Sequence, residues 1–157
     1  MAWQLDHVAV LVRSIEESLA LLTGLLGQAM PVPGEIKEFP REGTRECYVE
    51  GTDGNTARLL LMQALTLDEG PYARALKKRG PGLHHLGFRA ASLSGLADGT
   101  ADLCGWSSLR LLERHAKFCQ GCNGTEWLFC PSVPVLLEVT RAGEAEDLPP
   151  LVTMVEL

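Results

Sequence analysis

The sequence has no surplus of positive charge: 14 Lys and Arg stand against 20 Asp and Glu, for a formal charge of -6. Its basic residues fall only in short clusters, so no broad cationic surface is available to neutralise a nucleic-acid backbone. Nucleic acid is therefore not expected as a partner. The chain also lacks an apolar run near the ~18 residues that a membrane helix needs. Its opening, MAWQLDHVAV, has neither a basic leader nor a small-residue cleavage site. The expectation is a cytoplasmic protein with no membrane partner. Cysteine is sparse and odd in number, at 47, 104, 119, 122 and 130, in a chain long enough to hold a core without disulfides. Cys119 and Cys122 form a C-x-x-C, but no second matched pair accompanies them, so ordinary thiols are expected rather than a zinc or redox site.

What is present is a repeat. With 46% apolar residues over 157 positions, one globular domain spanning 1–157 is expected. A slide of 78 positions, the interval from His7 to His85, pairs Leu5 with Leu83, His7 with His85, Ser14 with Ser92, Leu25 with Leu103, Gly27 with Gly105, Gly43 with Gly121 and Leu59 with Leu137. These matches share one offset without a gap and fall at equivalent points of the pattern, as a tandem repeat requires.

Within the first copy, LDHVAVLV is rich in Val and Leu as strands are. Ser14 then caps a helical run in which Ile15, Leu19, Leu22 and Leu26 share a face, with Glu17 three residues after the cap and Gly27 as the stop. Strands are expected near 36–39, 45–50 and 57–63, the last two joined by the turn TDGNT. A linking helix over 70–80 leads into the second copy, where LHHLGFRA is the first strand and a weaker helix is expected from Ser92, with Leu93, Leu96 and Leu103 as its apolar face. Further strands are expected near 108–113, 124–130 and 134–140, followed by a tail over 142–157. The fold class is therefore α+β, with two tandem βαβββ modules at 4–66 and 82–141.

The repeat places His7 and His85 at matching strand positions, and the same slide sets Glu138 where the first copy has Leu60. Glu138 lies in the apolar strand PVLLEVT, where an ionised carboxylate needs a cation, a proton or an arginine. Two histidines and a carboxylate suit a divalent ion, whether Zn, Ni, Co, Mn or Fe, with open coordination positions. His84 and His115 carry no such symmetry and are read as hydrogen-bonded structural residues.

LDHVAV followed by a capped helix ending in LLG, then GPGLHHLGF, then VLLEVT, resembles the vicinal-oxygen-chelate superfamily, which includes glyoxalases, bleomycin-resistance proteins and extradiol dioxygenases. The resemblance covers residues 4 to 141 and is nearest to methylmalonyl-CoA epimerase, then glyoxalase I. It implies a cupped mixed sheet around a metal held by His7, His85 and Glu138. It also implies an isomerase or lyase that removes a proton beside a metal-polarised carbonyl, with Glu138 as the catalytic base and Glu46 as a second base on the opposite face. The implied partner is a small-molecule substrate such as an acyl-CoA or a glutathione adduct, and the implied assembly a homodimer. The family's fourth ligand falls at Leu60, a departure, while Gln63 three residues on is expected to face the other side of its strand. That departure leaves two alternatives open: an Fe(II) dioxygenase built on the same triad, and a binding protein for an antibiotic or other small molecule without catalysis. Arg74, Lys77, Lys78 and Arg79 would meet a CoA phosphate or a carboxylate, or simply complement their helix dipole.

Overall fold

The computed structural model describes residues 3–40, 42–50, 57–96, 105–108 and 125–142. Its contacts fall into two units, His7–His84 and a second made of Met1–Asp6 with His85–Leu157. The fold is α+β, a mixed sheet with helices packed on it. No helix among the described residues is long and apolar enough to cross a membrane.

Nine strands are described: β1 (Trp3–Val12), β2 (Val32–Pro33), β3 (Lys37–Phe39), β4 (Thr44–Glu50), β5 (Arg58–Ala64), β6 (Gly82–Ala90), β7 (Ser107–Ser108), β8 (Thr125–Cys130) and β9 (Val133–Arg141). The helices are α1 (Ile15–Leu26) and α2 (Pro71–Arg79). In the 7–84 unit β1 runs parallel to β5, β5 antiparallel to β4, and β4 carries both β2 and β3. In the other unit β6 runs parallel to β9, and β8 pairs antiparallel with both β9 and β7. The two parallel ladders share one register. His7 faces Arg58 in one and His85 faces Leu136 in the other, each position displaced by the same sequence offset. The repeat read from the sequence is thus also a repeat of hydrogen-bonding register.

The local chemistry of α1 explains its start and stop. Ser14 has an extended backbone and its hydroxyl accepts from the Glu17 N–H at 3.1 Å, while Glu16 and Glu17 place negative charge at the positive end of the helix dipole. A further N–H that the helix cannot satisfy, that of Ile15, donates to Gln63 Oε1 on β5 at 3.0 Å. Gly27 ends the helix at φ 56°, a left-handed conformation that a side chain would strain. Ile15 is fully buried against Val12, Cys47, Val49 and Leu61, with Leu19 and Leu22 packing on them. Burying a side chain of that size stabilises the unit by about 1.5–3 kcal/mol.

The second copy departs from expectation at Ser92. Residues 94–96 form a turn and no helix starts at Ser92 among the described residues, with the Ser94 N–H donating to Ser92 Oγ at 3.1 Å and Gly95 at φ 85°. The apolar positions still do their work, because Leu93 and Leu96 are buried with Ala90, Leu128 and Val139. Of the strand expected near 108–113, Ser107–Ser108 is described as β7. TDGNT, the pair Cys119 and Cys122, His115, and the tail beyond 142 lie outside the described residues.

Candidate metal centre

Alternation along β1 sorts its side chains to two faces. Val10 and Val12 lie with the α1 core, so His7, Ala9 and Leu11 occupy the other face. The ladders extend that face across the unit: Arg58 is the register partner of His7, Leu60 lies between Ala9 and Tyr48, and Met62 lies between Leu11 and Glu46. In the second copy Glu138 and Trp127 are direct partners across β9 and β8, and so share a face.

The three residues singled out by the repeat converge. His7, His85 and Glu138 each present a ligand atom, and these atoms all lie within 4.8 Å of one another. All three side chains are buried, His85 completely. His85 Nε2 and Glu138 Oε2 are 3.2 Å apart. Both groups can donate a lone pair to a metal, a neutral imidazole through its unprotonated nitrogen and a carboxylate through its oxygens. The donor set therefore fits a divalent ion, and the group could bind one.

Each histidine is steadied by an aromatic ring. The Tyr48 ring stands edge-on to His7, with centroids 5.7 Å apart at 87°, and the Arg58 guanidinium sits 4.3 Å over the same Tyr48 ring. Trp127 stands edge-on to His85, with centroids 5.0 Å apart at 82°. Tyr48 and Trp127 are the direct antiparallel partners of Leu60 and Glu138. Sequence reasoning missed this second layer of symmetry, because the slide that aligns the histidines sets Tyr48 against Glu126, one residue short of Trp127. The indole Nε1 of Trp127 is buried with no hydrogen-bond partner among the described residues, a condition that costs about 1–3 kcal/mol.

The remaining expected residues sort clearly. Leu60 is 1% exposed on the His7 face, so the usual fourth-ligand position is filled by hydrocarbon. Gln63 lies on the opposite face, its Oε1 accepting from Ile15 N and lying 3.4 Å from Arg45 Nη1, so it serves the start of α1. Glu46 is buried, and Thr44 Oγ1 donates to its Oε1 at 3.0 Å. It lies on the His7 face but at the Leu11 level of the sheet, and it is not a member of the ligand group. His84 is buried and stacks on Tyr72, with centroids 5.4 Å apart. Cys47 is a free, buried thiol whose pKa is pushed up by that burial, which disfavours the thiolate needed for metal or redox chemistry.

Comparison with known proteins identifies the fold and the family. A curated relative, the uncharacterized protein YqjC of Bacillus subtilis (strain 168), is 28% identical over 126 residues, covering 80% of this chain and 81% of its own. Hypothetical protein BH1468 from Bacillus halodurans C-125 superposes with a TM-score of 0.66 at 20% identity, covering 94% of this chain and all of its own. A variant of the Streptomyces coelicolor methylmalonyl-CoA epimerase, in complex with 2-nitronate-propionyl-CoA, superposes with a TM-score of 0.62 at 18% identity, covering 89% and 97%. At such identities these likenesses establish the fold. Residues 6–106 match the family model, most of the chain's length, and the chain belongs to the Glyoxalase/Bleomycin resistance protein/Dioxygenase superfamily.

Proposed function

We propose that this chain is a metal-dependent isomerase or lyase of glyoxalase or methylmalonyl-CoA epimerase type, which removes a proton from the carbon beside a carbonyl. The observation that carries the reading is the convergence of His7, His85 and Glu138, three buried side chains whose ligand atoms lie within 4.8 Å of one another. These residues would hold a divalent ion, whether Zn, Ni, Co, Mn or Fe. When bound, such an ion supplies Lewis acidity that lowers the cost of negative charge on a carbonyl oxygen. Tyr48 and Trp127 keep the two imidazoles turned toward their task. Glu138, buried beside His85, takes the proton from the carbon acid. In an epimerisation Glu46 serves the opposite side of that carbon, with Thr44 fixing one of its oxygens. The substrate is a small thioester or thiol adduct, an acyl-CoA or a glutathione conjugate, and the protein acts as a cytoplasmic homodimer.

The test is metal content of the purified, tag-free protein beside a His7→Ala/His85→Ala double variant. Near one equivalent in the parent and little in the variant, with metal-dependent exchange of an α-proton of an acyl-CoA in D2O, supports the reading. No metal in the parent after reconstitution overturns it. Leu60 favours a second reading, because three protein ligands without a fourth also form the facial triad of non-haem Fe(II) oxygenases. Substrate-dependent oxygen uptake with Fe(II), without proton exchange, would select it. Tight ligand binding with neither activity would make the chain a binding protein.

A further inference from the structure

Trp127 holds a polar group that the reaction proposed above does not use. Its side chain is 3% exposed, and its indole Nε1 has no hydrogen-bond partner among the described residues. An indole N–H can donate and cannot accept. Buried without an acceptor, it carries a desolvation cost that nothing in the chain offsets, and an acceptor from outside the chain, a ligand or a water, would remove that cost.

The surroundings of this donor belong to the unit that contains His85–Leu157. Trp127 and Glu138 are direct partners across β8 and β9, on one face of the sheet. Gly87 is the partner of Glu138 in the parallel ladder, so His85, two residues back along β6, shares that face. The Trp127 and His85 rings meet edge-on, with centroids 5.0 Å apart. The indole is thus packed against one candidate metal ligand and set opposite another. A resident water is poorly provided for, because a buried water is held by about three polar partners. The row on one side, His85, Leu136 and Phe129, is hydrocarbon at two of its three places. In the row on the other side the hydroxyls of Thr125 and Thr140 are paired with each other at 3.3 Å.

Resting on the reaction proposed above, we infer that the Trp127 N–H is a hydrogen-bond donor to an oxygen of the bound substrate, the one on which negative charge gathers as the carbon acid is deprotonated. In that step the C–H bond breaks, Glu138 takes the proton, and the electron pair is shared out to the carbonyl oxygen. A donor already fixed in a buried site stabilises such charge without the reorganisation that water needs. It also selects its ligand. An N–H that accepts nothing favours a carbonyl, carboxylate or enolate oxygen over an amine or amide N–H at the same place.

Acetohydroxamate, a small planar ligand with two adjacent oxygens, is the probe. The full chain, loaded with zinc and isotopically labelled at its tryptophan nitrogens, should show three indole N–H resonances, from Trp3, Trp106 and Trp127. Trp127→Phe assigns the Trp127 resonance by its loss, and Trp3→Phe with Trp106→Phe assign it by elimination if that variant does not fold. Acetohydroxamate is expected to move the Trp127 resonance downfield, as happens when a proton enters a hydrogen bond, and to leave the other two in place. By calorimetry Trp127→Phe, which keeps an aromatic ring beside His85, should bind acetohydroxamate about tenfold more weakly, the effect of one charge-assisted hydrogen bond. It should bind imidazole, a nitrogen ligand with no oxygen to offer, as well as the parent does. A Trp127 resonance that acetohydroxamate does not move, or equal weakening of both ligands in the variant, would overturn the donor and leave the metal centre in place. No zinc in the parent would sink both. Zinc and the downfield shift without exchange of an acyl-CoA α-proton in D2O would leave the donor standing and sink the isomerase or lyase.

Discussion

The two copies of the repeat run the same register but carry opposite chemistry at a buried position on their last strands. Where β5 carries Leu60, β9 carries Glu138. Around that difference much is held constant: a buried histidine on the first strand, an aromatic ring edge-on to it, and a parallel ladder closed at the same displacement. One copy resolves the position as core, with a leucine 1% exposed, and the other keeps a carboxylate within reach of an imidazole. A repeat that preserves its backbone register and an aromatic ring beside each histidine while changing the side chains of its last strand separates scaffold from chemistry, because the backbone hydrogen bonds of the ladder form whichever residue points inward.

The comparison can be broken outright by making the copies alike. Glu138→Leu should fold, since a leucine already sits at the equivalent place, and should weaken divalent-metal binding by at least about a hundredfold, near 2.7 kcal/mol. Competition against a chromogenic chelator measures it, and retained affinity would show that the carboxylate is not a ligand. The reverse change, Leu60→Glu, should cost the metal-free protein about 3 kcal/mol, read as a fall in its denaturation midpoint, because it buries a second carboxylate. With saturating metal present it should make up nearly half of that deficit against the parent and bind the ion about tenfold tighter, near 1.4 kcal/mol.

The other contrast between the copies is at the first helix, a capped α1 in one and a turn after Ser92 in the other. Gln63→Leu should cost about 1 kcal/mol by leaving the Ile15 N–H without its acceptor. It should leave metal affinity unchanged, and a drop in affinity would put Gln63 at the centre after all. The smallest effect belongs to Glu16. Its carboxyl is held below the usual carboxylate range by the helix-start N–H, then by Arg45 at 2.6 Å. A lowered folded pKa gives stability that is present above the ordinary value of about 4.3 and lost as pH falls through the folded value. A slight neutral-pH advantage of the parent over Glu16→Gln in denaturant midpoint should therefore close on acidification.

Much of this was legible before any coordinates. Paired histidines at one offset, a carboxylate in an apolar strand and a Ser cap three residues before Glu17 are features that few arrangements satisfy, and the ligand atoms of the first three converge. The turn after Ser92 was not legible, because Leu93 and Leu96 suit a helix face and a packed turn equally well, and the preference lies in Gly95 and in the Ser92 hydroxyl. The aromatic pair was hidden by a one-residue slip between the β4 and β8 alignments, which an ungapped comparison cannot see.

Gln63 holds a lesson for sorting relatives of this chain. Three positions from Leu60 is a trivial distance along a text, and a search that tolerates such drift would credit the protein with a complete set of four metal donors. In a pleated strand an odd step crosses the sheet, and this glutamine steadies a helix on the far side. Membership of a chemical subclass should be decided by whether the count along β5 from the ligand position is odd or even, and only then by whether the right letter is nearby.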